Sequence, residues 1–233
     1  MIKKFIHRKS FFYKPYLYFR VIWLEKLFLK RNMYSQCGED LFINKFFKNI
    51  HEGRYVDLGA YNPIKYSNTL LLYRRGWTGI NIDLNQTSID LFNIVRKKDK
   101  NIVAAVSDKK KLTKVFIENI FSPLNTINRK FSHKHLRSKA KYVMTKKFND
   151  LVKKKIDFLN IDIEGMDFKV LKSIDLNFYR PKLICIEIFG KNNVFKVESY
   201  LKKKNYLLVK KVGPSFFFAK KITKKILIMP GNK

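Results

Sequence analysis

Residues 55–83 read YVDLGAYNPIKYSNTLLLYRRGWTGINID. A short apolar run ends in Asp57, Gly59 follows, a stretch with helical spacing comes next, and a second apolar run ends in Asp83. That order spells a strand, a tight turn, a helix and a second strand with an acid at its tip. A glycine at the end of the first strand lets a ligand approach the backbone closely. The first amides of the following helix point back at that ligand. An acid at the tip of the second strand can hold two ribose hydroxyls. Asp83 follows Gly59 at close to the roughly 20-residue separation that such units show.

Working outward, Tyr55–Leu58 is expected as the first strand, Ser67–Arg75 as the crossover helix and Ile80–Asp83 as the second strand. Upstream, Tyr34–Gly53 reads as a capped amphipathic helix, with Ser35, Glu39 and Asp40 supplying acceptors and acids at its start. Downstream come a helix over Thr87–Lys97 and a strand over Asn101–Val106, closed by Ser107 and Asp108. Lys109–Lys114 reads as a basic turn, Val115–Asn128 as β-like and irregular, and Arg129–Lys147 as a strongly basic insert holding His133 and His135. A helix over Lys146–Lys154 leads to Phe158–Ile163, whose period-2 pattern sets Asn160, Asp162 and Glu164 on one face. After Gly165 come a helix (Phe168–Ile174), a buried-type strand (Leu183–Ile188, with Glu187) and a helix (Val194–Lys204). A hairpin closes the order, Tyr206–Val212 with Ser215–Lys220 across Gly213-Pro214. Strands alternating with helices predict a mostly parallel sheet.

Composition bounds the remaining choices. The chain has 233 residues, 46% of them hydrophobic and 15% aromatic, enough for one large α/β domain and too apolar for disorder. Fifty Lys and Arg against 18 acids give a net charge of +32, a field that attracts anions such as nucleic acid, acidic glycans and anionic membrane. The same excess is equally what compositional drift toward lysine produces. Cys37 and Cys185 stand far apart, with no metal-ligand spacing, so no metal site is expected and a reducing compartment fits.

Residues 1–33 form a basic, aromatic arm with nine Lys or Arg and one acid. Its apolar run, Tyr16–Leu24, is broken by Arg20 and too short to span a bilayer. Spacing of Leu17, Val21, Leu24 and Phe28 predicts a helix over Tyr16–Arg31. Such a helix either lies on anionic membrane with Trp23 as an anchor or packs across the domain. The expected organisation is therefore an arm (1–33), a catalytic domain (34–221) and a loosely held tail (222–233).

Four blocks in this order resemble the FkbM-type S-adenosylmethionine (SAM)-dependent methyltransferases. They are Asp57-Leu-Gly-Ala, Ser67-Asn68-Thr69, Gly76-Trp-Thr-Gly-Ile-Asn-Ile-Asp83 and Asp157-Phe-Leu-Asn-Ile-Asp-Ile-Glu-Gly165. Ser35-Gln36-Cys-Gly38-Glu39-Asp40 is similar to a segment of one branch of that family. The resemblance runs from about Tyr34 to Lys220. It implies a Rossmann-like class I methyltransferase fold: seven mostly parallel strands, the last antiparallel, flanked by helices. It also implies SAM as cofactor and a hydroxyl on a sugar, glycan or related small molecule as acceptor. One position departs: Asn62-Pro63 stands where the common motif has a further glycine, and Pro63 lacks an N–H.

On that resemblance Gly59 and Ala60 admit the methionine part of the cofactor, Asp57 helps hold its ammonium, Asn68 belongs to the same wall, Asp83 holds the ribose, and Ser107 and Asp108 border the adenine. Asp162 and Glu164 are the candidate catalytic carboxylates. Gln36, Glu39 and Asp40 are candidates to close over the cofactor, and His133 and His135 for phosphate contact. Two other functions compete. An RNA methyltransferase would use the basic surface, but no RNA-binding module is present and strand four lacks the Pro-Pro-Tyr-type signature of amino-group methylators. A non-catalytic protein keeping the fold would have no need of Asp57, Gly59, Asp83 and Asp162 together. The expected location is cytoplasmic, at the inner face of the membrane.

Overall fold

β1 (Arg54–Leu58) is the hub of the molecule, with Tyr55, Val56 and Leu58 fully buried. A strand buried on both faces belongs at the centre of a sheet covered by helices on each side. In the structure, a computed structural model that describes residues 8, 10–25, 27, 32–117, 127–128 and 139–221, that is where β1 lies. It pairs in parallel with β2 (Thr78–Asp83) on one side and β6 (Phe158–Ile161) on the other. β3 (Lys100–Val103) adds beyond β2, and β7 (Leu183–Glu187) beyond β6, both in parallel. β8 (Tyr206–Val212) and β9 (Ser215–Lys220) form the expected hairpin, with β9 inserted antiparallel between β7 and β8. The seven-stranded order is β3-β2-β1-β6-β7-β9-β8, which is the Rossmann-like methyltransferase topology.

Each face of the sheet carries its own core. Val56, Leu159, Ile184 and Phe218 face α5 (Phe148–Leu151), α6 (Asp167–Ser173), α7 (Leu176–Tyr179) and α8 (Lys191–Lys203). Tyr55, Phe158 and Phe217 face α2 (Glu39–Phe46) and α3 (Leu70–Arg74), where Phe47 packs edge-on to Trp77 and Phe158. α2 is therefore an integral layer, as its apolar spacing predicts.

Several expected boundaries move. The crossover helix is only Leu70–Arg74, because residues 60–69 are held as a loop by a buried arginine described below. β3 stops at Val103, the last residue paired with β2, with Ala104 N closing the ladder on Asp83 O. β6 stops at Ile161, since Glu164 and Gly165 take φ of 55° and 90°. The helix expected over Lys146–Lys154 is the single turn α5. The basic turn and insert contain a two-stranded antiparallel ribbon instead, β4 (Leu112–Ile117) with β5 (Lys139–Met144). Its lysines obscure a period-2 pattern in which Val115 is the buried member. The remaining connections run through α4 (Gln86–Val95), capped by the Asn85 side chain accepting from Thr87 N.

The arm is helical, starting earlier than expected. α1 (Tyr13–Phe19) continues as a π-helical stretch over Arg20–Glu25. Tyr13 and Leu17 are buried with Leu91 of α4, and Tyr13 donates its hydroxyl to Asp90 at 2.7 Å. Among the described residues no helix is long and apolar enough to cross a membrane. His133, His135 and the 222–233 tail lie outside the described residues.

Candidate functional site

The carboxyl-terminal ends of β1, β2, β3, β6 and β7 converge on a cavity of about 280 Å³. Open α/β sheets bind ligands at this edge. Of the residues expected to form the site, Gly59, Asn68, Asp83, Asp162 and Glu164 line it, as do Gln36 and Glu39, candidates to close over the cofactor; Tyr61, Tyr66 and Glu187 join them.

Gly59 is required here for a reason other than ligand approach. It takes φ +78°, and a Cβ placed on it would lie 1.6 Å from the carbonyl oxygen of Asp162. The close neighbour is thus the backbone at the end of β6. Gly59 N and Ala60 N both donate to Ile82 O, at 2.9 and 3.3 Å. These amides close the turn and are already engaged, and Ala60 is buried outside the cavity lining.

Asp83 sits at the tip of β2 and fastens the neighbouring loops. Its oxygens accept from Tyr61 N at 2.9 Å and Asn85 N at 2.6 Å. A carboxylate offers about four lone-pair sites, so acceptor capacity remains toward the cavity. Burial raises its pKa to about 6, opposed by those two amides. Beside it Ile82, Leu84, Ala105 and Val106 form a mostly apolar wall. Ser107 and Asp108, expected there, are turned away: Ser107 is buried and donates to Asp108, which pairs with Lys169 at 3.4 Å. The wall is made by the residues just before them.

Asp57 is likewise not a cavity residue. It is buried beneath the floor, accepting from Asn160 Nδ2 and Thr69 Oγ1, each at 2.8 Å. Burial raises its pKa, and those two bonds oppose the rise. Asn68 Nδ2 donates to Asn160 Oδ1 at 3.0 Å. A continuous polar chain therefore runs from the cavity wall through Asn68, Asn160, Asp57 and Thr69 to Arg96. That guanidinium is fully buried and donates to Thr69 Oγ1 (2.7 Å), Ser67 Oγ (2.5 Å), Tyr55 Oη (3.3 Å) and twice to Pro63 O (3.1 and 2.8 Å). Pro63, with no N–H of its own, is thus held by its carbonyl. Asn62 Oδ1 accepts from Ile64 N and Lys65 N and completes the turn. Asn62-Pro63 is an anchored corner in place of a glycine loop.

The opposite kind of chemistry gathers at the ends of β6 and β7. Asp162 has its pKa raised well above the usual carboxylate value by burial first, then by the charges of Glu187, Asp167 and Glu164, and it is hydrogen-bonded to Glu187. Glu187 and Glu164 are each raised to about 7, in both cases by burial and then by neighbouring carboxylates. Asp167 is raised to about 6 by burial, against the backbone bonds it accepts from Ile163 N and Gly165 N, each 2.9 Å. Carboxylates this close cannot all ionise, so one proton is shared over the Asp162–Glu187 pair. Glu164 sits on a left-handed backbone (φ 55°), as do Tyr61 (φ 49°) and Tyr66 (φ 56°) of the same cavity lining. Strain of this kind concentrates at functional sites. The two tyrosine rings are stacked, with centroids 6.4 Å apart.

The segment before α2 closes the cavity on the hairpin side. Ser35 Oγ donates to Asp40 Oδ1 at 2.6 Å and accepts from Gly38 N, while Glu39 accepts from Cys37 N and faces Ser215. Cys37 seats against Gly213, where an added Cβ would approach its sulfur to 2.8 Å. Gln36 and Glu39 consequently line the cavity, while Asp40 is a buried internal cap. Among the described residues no three His, Cys, Asp or Glu are arranged to hold a metal ion.

Glu187 could have been found by the logic that identifies Asp83, since both are acids ending a buried strand. Arg96 carries no such signal: it follows α4 among lysines and looks like a solvated end. Tyr61 and Tyr66 look like loop aromatics until the loop is folded.

Comparison with known proteins agrees with this fold. Among solved structures, that of the methyltransferase FkbM from Methylobacillus flagellatus KT superimposes with a TM-score of 0.52 at 11% identity, over 72% of this chain. The chain spans 44% of that protein, and the likeness is one of fold. No curated protein matches the sequence. A family model, the methyltransferase FkbM domain, matches residues 57–208, from the buried Asp57 to the hairpin. The chain belongs to the FkbM methyltransferase domain family.

Proposed function

We propose that this protein is a SAM-dependent O-methyltransferase whose acceptor is a hydroxyl on a sugar, a glycan or a related small molecule. The observation that carries the proposal is the pairing, in one cavity, of a ribose-type acid at the β2 tip with a proton-sharing carboxylate pair at the β6 and β7 ends. Family membership supports methyl transfer, and the cavity chemistry supports a hydroxyl acceptor.

The donor set fits the cofactor. Asp83 would hold the ribose diol, the apolar wall of Ile82, Leu84, Ala105 and Val106 would take the purine, and Asn68 would meet the amino-acid end. Carboxylates at the far wall favour a ligand that carries positive charge. When bound, SAM supplies an electrophilic methyl group. The chain's own residues do the rest. Gln36, Glu39 and the β8–β9 turn shut out water on the hairpin side. Glu187 accepts the hydroxyl proton of the acceptor, with Asp162 hydrogen-bonded to it and orienting it. A carboxylate near pKa 7 is a far better base than one near 4.5 and is still about half ionised at neutral pH. A placed base of this kind contributes about 10²–10⁴-fold, with positioning supplying much of the remainder.

Isothermal titration with SAM comes first, and no heat at high micromolar SAM ends the proposal. Methyl transfer to a panel of sugars, glycans and RNA, read by mass, then tests the acceptor class. Transfer to RNA alone would replace the hydroxy-sugar assignment. The rate should rise through pH 7 as Glu187 loses its proton, and Glu187→Gln should abolish that limb while leaving SAM affinity within about threefold.

A further inference from the structure

The arm carries a surface for which methyl transfer has no use. Tyr13 and Leu17 turn toward the domain, and the other sides of the helix are bare. Phe11 is 88% exposed, Phe12 and Trp23 67%, and Leu27 64%. Phe19 and Ile22 are half exposed, and Phe19 stacks on Trp23 with centroids 6.5 Å apart. Exposed aromatics gathered in this way mark an interaction surface rather than ordinary apolar scatter. Arg8 and Lys14 are exposed among them, and residues 1–33 hold nine Lys or Arg against one acid. The matching partner is apolar beneath an anionic surface.

We infer that α1 and its π-helical extension dock the protein on an anionic phospholipid bilayer, with Phe12, Phe19 and Trp23 entering the headgroup boundary. Three features single out a bilayer. The helix lies along α4, so its bare face is presented lengthwise, the orientation of an interfacial helix. The rings are of the types that partition to the membrane–water interface. The whole chain carries +32, which draws it to an anionic sheet from any direction of approach. The dock is pre-formed, because Tyr13 is tied to Thr87 and Asp90. α4 begins three residues after Asp83, so docking would hold the Asp83 side of the cavity near the lipid surface. Packing on the domain and lying on a membrane are therefore two faces of one helix. The inference is independent of which acceptor the cavity takes.

The test uses the full chain and vesicles of phosphatidylcholine alone or mixed with phosphatidylglycerol. Wild type should pellet at least about tenfold more strongly with the anionic vesicles. Trp23 emission should shift to the blue while buried Trp77 stays as it is. The triple variant Phe12→Ser, Phe19→Ser, Trp23→Ser keeps Tyr13 and Leu17, so it should fold and lose about tenfold or more of the binding. Equal pelleting of the variant, or no blue shift on binding, would show attraction by charge alone and overturn the dock. A wild-type dimer in sedimentation velocity that the variant abolishes, without vesicle binding, would assign the face to a second copy of this chain and equally overturn it.

Discussion

Replacing Arg96 by methionine tests the internal support of the site. The methionine keeps most of the buried stem and removes every donor. The guanidinium is fully buried and makes five hydrogen bonds, two of them to Pro63 O. The Thr69 and Tyr55 hydroxyls still donate to Asp57 and Asp99, and Ser67 Oγ still accepts from Thr69 N, but the buried Pro63 carbonyl loses both bonds, at about 1–3 kcal/mol. Two buried acids also lose their counter-charge: Asp57, reached through Thr69, and Asp99, which accepts from Tyr55 Oη at 2.5 Å. Removing one member of a buried charged network costs about 3–5 kcal/mol. Since such domains hold about 5–15 kcal/mol in all, the variant should lose a large part of its stability. Urea unfolding followed by buried Trp77, in a Trp23→Phe background, measures it. Arg96→Lys keeps the charge but not the fork and should still cost about 2 kcal/mol. Adding Asp99→Asn to Arg96→Met should recover part of the loss. A destabilisation of Arg96→Met below about 1 kcal/mol, or strict additivity with Asp99→Asn, would refute the counter-charge role.

Four further outcomes are expected. Gly59→Ala forces a Cβ onto the Asp162 carbonyl at a positive φ, so it should cost about 3 kcal/mol or more and separate β1 from β6; an unchanged urea midpoint would contradict this. Asp83→Asn should weaken SAM binding about tenfold or more by titration, since a ribose diol loses its charged acceptor; unchanged affinity removes the ribose assignment. Glu164 and Glu187 have pKa values raised to about 7 in the fold, from 4.5 unfolded. The folded state therefore binds more protons between those values, and stability should fall as pH rises from about 4.5 through 7; Glu187→Gln should flatten that slope, and stability flat or rising with pH across this window would show that the fold does not raise these carboxyl groups. Tyr13→Phe should cost about 1 kcal/mol by loss of its bonds to Thr87 and Asp90; a protease-resistant arm with undiminished stability would mean that Leu17 alone holds it.

The fold is legible in the sequence where local and long-range signals agree. β1, β2, β6 and β7 are short apolar runs ended by Gly or acid, and the hairpin has its turn residues in place. Boundaries fail where tertiary bonds override local preference. Ser67–Thr69 has a helix-start composition, yet Arg96 reaches in from a distant position and keeps it a loop. The β4–β5 ribbon is hidden because lysines dominate a pattern whose pairing partner lies across a long connection. Within the site, Asp83 and Asp162, expected there from their places at strand ends, do line the cavity, and Glu164 joins them from the loop after β6. Asp57 is one position too deep: it precedes the last residue of β1, so its side chain goes under the floor. Glu187 and Arg96 are tied to their partners only by the folded geometry.

The β4–β5 ribbon has a further consequence. Ile117 and Lys139 are paired partners, so the two ends of the intervening connection are fixed side by side, outside the main sheet. One residue of that connection lines the cavity, Ile127, and its neighbour Asn128 donates to Gly165 O at 3.0 Å. The ribbon thus works as a socket. A connection of different length or sequence can be exchanged between the same two anchors, and doubling its length adds only about 0.6 kcal/mol of closure cost. If Ile127 helps to shape the acceptor side of the cavity, chimeras that swap residues 118–138 between relatives should change acceptor preference while stability in urea stays within about 1 kcal/mol of the parent.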